Sequence, residues 1–183
     1  MLQLFLNRPV SLTLRLLRVT GLLAALSLLP ACSPTYDWRD VRGTEAPYTV
    51  LLPAKPSRLA RPVNLGGLRT SMTMTAAEVD GVTFAVGTAE LPDAAQAQAA
   101  LLVMQETLVK NVGGIMRHEK RALGANLSHI DFDAGPVAGG KGAVLHARLI
   151  ARERRVYQAI VVGKEKAVRA DAVDVFLTSF KIE

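Results

Sequence analysis

Leu68-Arg-Thr-Ser-Met-Thr-Met-Thr-Ala-Ala-Glu-Val79, followed by Asp80-Gly81 and Val82-Thr-Phe-Ala-Val-Gly-Thr88, decides how the chain folds. Twelve residues rich in Thr, Met and Val read as a strand, because β-branched and unbranched apolar side chains suit a pleated surface. Asp-Gly supplies the positive φ angles of a two-residue hairpin turn, so the chain returns from Val82. Pairing Val79 with Val82 sets Ala77 opposite Phe84 and Thr75 opposite Val86 on one face. Met72, Met74 and Ala76 then lie with Ala85 and Gly87 on the other. Both faces are partly apolar, which predicts a sheet covered on both sides.

Working outward, Tyr48-Thr-Val-Leu-Leu52 reads as another strand, ended by Pro53 and Pro56. Downstream, Pro92 and Asp93 start a helix that runs through Lys110 and stops at Gly113-Gly114. Ala97, Leu101, Met104, Leu108 and Val112 recur at spacings of three and four and form its inward stripe. Strands are predicted near 116–122, 128–133, 142–151 and 155–162, with Arg152-Glu153-Arg154 turning the last hairpin. A final helix spans about 166–178, with Val168, Ala172, Val175 and Phe176 inward, and Phe180-Lys181-Ile182 closes the chain. The class is α+β: a mostly antiparallel sheet with helices on both faces.

The first 36 residues are different. They contain no Asp or Glu, and Arg8, Arg15 and Arg18 are their charged side chains. The apolar run from Val19 to Leu29 has the length of a signal-peptide core and is shorter than the roughly 20 residues that span a bilayer. It ends in Leu29-Pro30-Ala31-Cys32-Ser33, which resembles the lipobox of bacterial lipoproteins, although Pro30 departs from the usual pattern. The resemblance implies that Cys32 is acylated and that residues 1–31 are removed as a signal peptide. Residues 33–47 show no period and are punctuated by proline and glycine, so 32–47 read as a lipidated tether and 48–183, where the strand pattern begins, as the folded domain. Thiolate nucleophilicity makes cysteine the side chain suited to thioether formation with a diacylglyceryl group. A buried cysteine behind an ordinary signal peptide is the plainer alternative.

Two acyl chains or more hold a protein durably at a membrane, where one chain gives only marginal binding. Ser33, in place of the Asp often found there in inner-membrane lipoproteins, implies by resemblance the periplasmic face of the outer membrane. The inner membrane and the periplasm remain alternatives. Loss of Arg8, Arg15 and Arg18 leaves 19 Lys+Arg against 16 Asp+Glu, a net of +3. Nucleic-acid binding is therefore not expected. Cys32 is the only cysteine, so the mature domain has no disulfide and no thiolate for metal or catalysis. Tyr36 and Trp38, in the tether, either meet lipid headgroups or dock on the domain's own surface.

Taken with the order of elements, Tyr48-Thr-Val-Leu-Leu-Pro53, Val156-Tyr-Gln-Ala-Ile-Val-Val-Gly163 and Val175-Phe-Leu-Thr-Ser-Phe-Lys-Ile182 resemble the PsbP-like α/β/α sandwich over residues 46–183. That group includes an extrinsic photosystem subunit, a nuclear-import factor that binds a small GTPase, and bacterial lipoproteins. These are packing motifs, so the resemblance implies a fold and carries no catalytic or binding residue across.

Three candidate sites follow from the residues. His129, Asp131 and Asp133 alternate and share one strand face. A register pairing Ile130 with Leu145 would bring His146 opposite His129, and two imidazoles with a carboxylate suit Zn²⁺. An exposed polar strand face is the favoured reading, and no cofactor is expected. Arg148, Arg152, Arg154 and Arg155 concentrate positive charge that suits an anionic surface, or else form a solvated face interleaved with acids. Gly135-Pro-Val-Ala-Gly-Gly-Lys-Gly142 approaches a phosphate-binding loop but lacks the terminal hydroxyl and precedes a strand, which favours a hairpin loop. No nucleophile elbow or zinc-protease motif is present. The expected function is non-enzymatic, a membrane-anchored envelope lipoprotein that binds an unidentified envelope protein. The rival is a small-ligand or metal-binding periplasmic module on the His129/Asp131/His146 face.

Overall fold

The computed structural model describes residues 35–137, 140 and 142–183. Cys32, the signal segment and the first residues of the tether lie outside them, as do three positions of the 135–142 loop. Among the described residues, ten strands and two helices make an α+β fold dominated by antiparallel sheet. Strands β1 (Arg39–Arg42), β2 (Tyr48–Leu52) and β10 (Lys181–Ile182) form a small sheet in the order β1-β2-β10. The large sheet contains β3 (Ser57–Leu65), β4 (Leu68–Val79), β5 (Val82–Glu90), β6 (Ile115–Ala122), β7 (Leu127–Gly135), β8 (Ala143–Arg152) and β9 (Arg155–Lys164). Its order is β3-β4-β5-β9-β8-β7-β6, and every pairing is antiparallel.

The β4–β5 hairpin has the register its turn dictates: Val79 pairs with Val82, Ala77 with Phe84 and Thr75 with Val86. Asp80 and Gly81 both take positive φ, 52° and 74°. Alternation along β5 and β9 divides the core into two clusters. Ala85, Val156 and Ile160 pack with Ala97, Leu101 and Met104 of helix α1 (Ala94–Asn111). Phe84, Val86 and Val161 pack instead with Val50 and Leu52 of β2 and with Phe176 of helix α2 (Ala170–Ser179). Strands buried on both sides explain why β9 reads as an almost unbroken apolar run.

Helix α1 starts as its sequence predicts. Asp93 is extended at φ −150°, ψ 172°, and its carboxylate accepts from the Gln96 N–H at 2.8 Å. Helix α2 starts later than expected, at Ala170, after a turn through residues 165–167 and an extended Arg169 at its N-cap. Its inward face is Ala172, Val173 and Phe176, and Val175 is exposed. With 3.6 residues per turn, Val175 lies about 100° from Phe176, outside the stripe.

Two stretches depart from expectation. Residues 39–42, assigned to the tether, form β1 and pair with β2, Val41 opposite Val50. Tyr36 and Trp38 dock on the domain, their rings 6.4 and 6.3 Å from that of Phe84. Proline and glycine punctuation concealed this strand because only Val41 of its four residues is buried. Strand β3 was also not expected. Its residues are almost all exposed, and Pro62, which cannot donate to a ladder, is tolerated because β3 is an edge. The signal that marks it is Gly66-Gly67, with φ of 67° and 91°, a two-residue turn that pairs Leu65 with Leu68. No described helix is long and apolar enough to cross a membrane.

Candidate functional site

Strands β7 and β8 pair four residues away from the register expected for them. Ile130 lies opposite Leu149, not Leu145, so His146 faces Asp133, and His129 faces Ile150. Both registers bury the same alternate residues, because they differ by an even number. Charge decides between them: the observed one sets Asp131 opposite Arg148 and His146 opposite Asp133. In the expected one Arg148 would face Leu127 and Asp131 would face Val144. Four residues of strand, about 13 Å, therefore separate His129 from the pair partner of His146. His129, Asp131 and His146 do not converge. Among the described residues no group of three His, Cys, Asp or Glu is placed to hold a metal ion.

The structure assembles something else from this face. The Nε–H and an Nη–H of Arg148 donate to the two carboxylate oxygens of Asp131 at 2.8 and 3.0 Å. Its other Nη donates to the Leu177 carbonyl at 2.9 Å, in the last turn of α2. A cation there satisfies a helix-end carbonyl and complements the helix dipole. The bond to Asp131 pushes the Arg148 pKa up from its already high value, against the opposing effect of burial. Arg148, expected as a surface contact for anions, instead fastens α2 to the sheet.

Beside it, His146 Nδ1 lies 2.7 Å from Asp133 Oδ1, with both side chains about one-third exposed. In the neutral ring, an Nδ1–H donating to the carboxylate leaves Nε2 as an acceptor. Across from Asp133 the β6–β7 register slips between Met116 and Glu119, so Arg117 and His118 share one partner position. Such a bulge re-aims side chains, and both residues line a hollow of about 430 Å³ with His146, Val173 and Asp174. An adjoining hollow of about 480 Å³ continues past Asp131 and Arg148 to Leu177. Together they make an open groove with β7 and β8 as floor, α2 as one wall and β6 as the other. Its lining has no hydroxyl or thiol side chain. A His–Asp pair there offers hydrogen-bonding groups to a ligand, and no hydroxyl or thiol nucleophile stands beside it. The bulge was not legible in Ile-Met-Arg-His-Glu-Lys-Arg-Ala, where every residue is exposed and no period marks the extra residue.

Gln105 of α1 joins the other wall of β6. Its amide donates to Glu119 Oε1 at 2.6 Å and accepts from Arg121 Nη2 at 3.0 Å. The Gln105 bond, with Arg121 also contributing, holds the Glu119 carboxyl below its ordinary pKa.

The remaining arginines lie at the far end of the sheet. Arg154 and Arg155 each donate to Glu90, both at 2.6 Å, around a hollow that also includes Arg152, Pro47, Tyr157 and Glu183. They do not form one patch with Arg148. At the glycine-rich loop, Arg117 donates to the Pro136 carbonyl at 2.5 Å and Ala143 begins β8; the loop's central residues lie outside those described. No protein-family model matches the chain and no curated protein matches it, so its function is read from these residues and their geometry.

Proposed function

We propose that this chain is a bacterial lipoprotein, anchored to the periplasmic face of the outer membrane through acylated Cys32. Its PsbP-like α/β/α sandwich serves as a non-enzymatic module that binds an envelope protein. The observation that carries the reading is Leu29-Pro-Ala-Cys-Ser33 directly after an apolar run of signal-core length. The separation of the two helices between two core clusters supports the sandwich assignment. The open groove beneath α2, lined by His, Asp and Arg side chains, supports a binding role. Crosslinking in living cells followed by mass spectrometry should recover one envelope protein with the wild-type chain. Recovery should fall with Cys32→Ala, which releases the domain from the membrane. Identical recovery and identical membrane fractionation for both chains would refute the anchored module.

The groove favours one second reading, a small polar ligand held by Asp133, His146 and His118. Imidazole proton resonances of His118 and His146 should then shift when short peptides or sugars are added. Resonances that stay fixed at millimolar concentrations of both would remove it.

A further inference from the structure

The path of the chain into the domain fixes the end of the sheet at which the described residues begin. Tyr36 packs on Phe84, the third residue after the Asp80-Gly81 turn, and the Asp37 N–H donates to the Pro53 carbonyl at 2.9 Å. Burial first, with Asp171 and Asp80 adding to it and Arg169 opposing it, raises the Tyr36 pKa, so these charged groups lie near the ring. The domain therefore begins at the end of the sheet that carries the Asp80-Gly81 turn. Only four Cα steps connect Cys32 to Tyr36, a reach of about 14 Å at full extension.

The antiparallel order brings further segments to that same end. Lys164 ends β9 opposite Ala143, the first residue of β8, and Ile115 begins β6 opposite Gly135, the last of β7. Helix α1 finishes at Asn111 just before Ile115. Ile115 and Met116 are exposed there, 52% and 40%, as are Lys110, Lys164 and Lys166. Glu78, Asp80 and Glu165 are the acids among them, and Asp37 and Asp171 are paired with Arg39 and Arg169. Exposed lysines beside exposed apolar side chains are the chemistry that meets phospholipid headgroups at an interface. The opposite end holds Arg152, Arg154 and Arg155, since Arg155 pairs with Glu90 at the other limit of β5 and β9. Strands of nine and ten residues put about 30 Å between the two ends.

We infer that the end bearing Asp80-Gly81, Lys110 and Lys164–Lys166 rests on anionic phospholipid headgroups of the anchoring leaflet, turning Arg152, Arg154 and Arg155 away from it. The inference rests on Cys32 being acylated. The arginine cluster then meets molecules across the periplasm and not the bilayer that holds the anchor.

Acylation consumes the only native thiol, so Lys166→Cys and Arg154→Cys each accept a single fluorescent donor on the full acylated chain. Each labelled protein is reconstituted in phosphatidylglycerol–phosphatidylethanolamine vesicles carrying a headgroup acceptor, after its intact mass is recorded. Energy transfer from position 166 is expected to exceed that from position 154 at least threefold. Equal transfer, or stronger transfer from 154, in protein that carries the acyl mass overturns the orientation alone. Absence of the acyl mass overturns the lipoprotein reading and the orientation with it.

Discussion

Arg148 links three parts of the fold at once, through the Asp131 carboxylate and the Leu177 carbonyl. Both charged partners are about one-third exposed, so water screens the pair and its worth is modest. A double-mutant cycle on Asp131→Asn and Arg148→Met should give a coupling of about 1 kcal/mol by urea unfolding. A coupling near zero would mean that the pair contributes nothing to holding α2. Glu119 provides a pH-dependent counterpart. Its folded pKa is lowered by the Gln105 amide first and Arg121 second, so its contribution to stability is present above the unfolded carboxylate range. That contribution is lost as pH falls through the lower folded value. Gln105→Leu should therefore flatten the acid limb of stability against pH, while leaving the alkaline limb unchanged. At this scale the sequence is least informative. His129, Asp131 and Asp133 share a face by simple alternation, but which cross-strand residue each meets depends on a register that period two leaves free in steps of two.

Elements were more legible where a local signal and a burial pattern agreed. The β4–β5 hairpin and helix α1 each carry a turn or cap residue beside a periodic apolar run, and both lie within a residue or two of expectation. Asp93→Ala should cost about 1 kcal/mol, because one orphan N–H of the first turn loses its acceptor. Strands β1 and β3 escaped because each has few buried residues, so tertiary pairing and not periodicity holds them. The face of α2 offers a sharp contrast: Val173 is buried and Val175 exposed, although both are valine. Val173→Asp should unfold the domain or cost about 3 kcal/mol or more, since it buries an unpaired charge, whereas Val175→Asp should change stability by less than about 0.5 kcal/mol. Thermal melts of the two variants would expose an error in the helix face at once. Phe176→Ala should cost about 3–5 kcal/mol, as its ring is fully buried at the edge of Phe84, with 5.6 Å between centroids.

For the whole molecule, two cores on opposite faces of one large sheet make the domain depend on its own first strand. Trp38, the single tryptophan, sits 5.5 Å from Tyr36 and 6.3 Å from Phe84, so its emission reports directly on whether residues 36–42 are docked. Residues 36–42, read as tether, therefore belong to the folded domain through β1 and the docked Tyr36 and Trp38. On the proposed acylation of Cys32, the few residues between it and Tyr36 dictate which surface the rest of the cell can reach. The covalent state of the sulfur is therefore the quantity on which the account turns. The intact mass of protein extracted from membranes, with thiol titration of the same sample, reads it in one experiment. The account predicts a chain beginning at Cys32, heavier by a diacylglyceryl group and its amide-linked acyl chain, with no reactive thiol. A chain that retains residues 1–31, or one that starts at Cys32 with its thiol freely titratable, would contradict it.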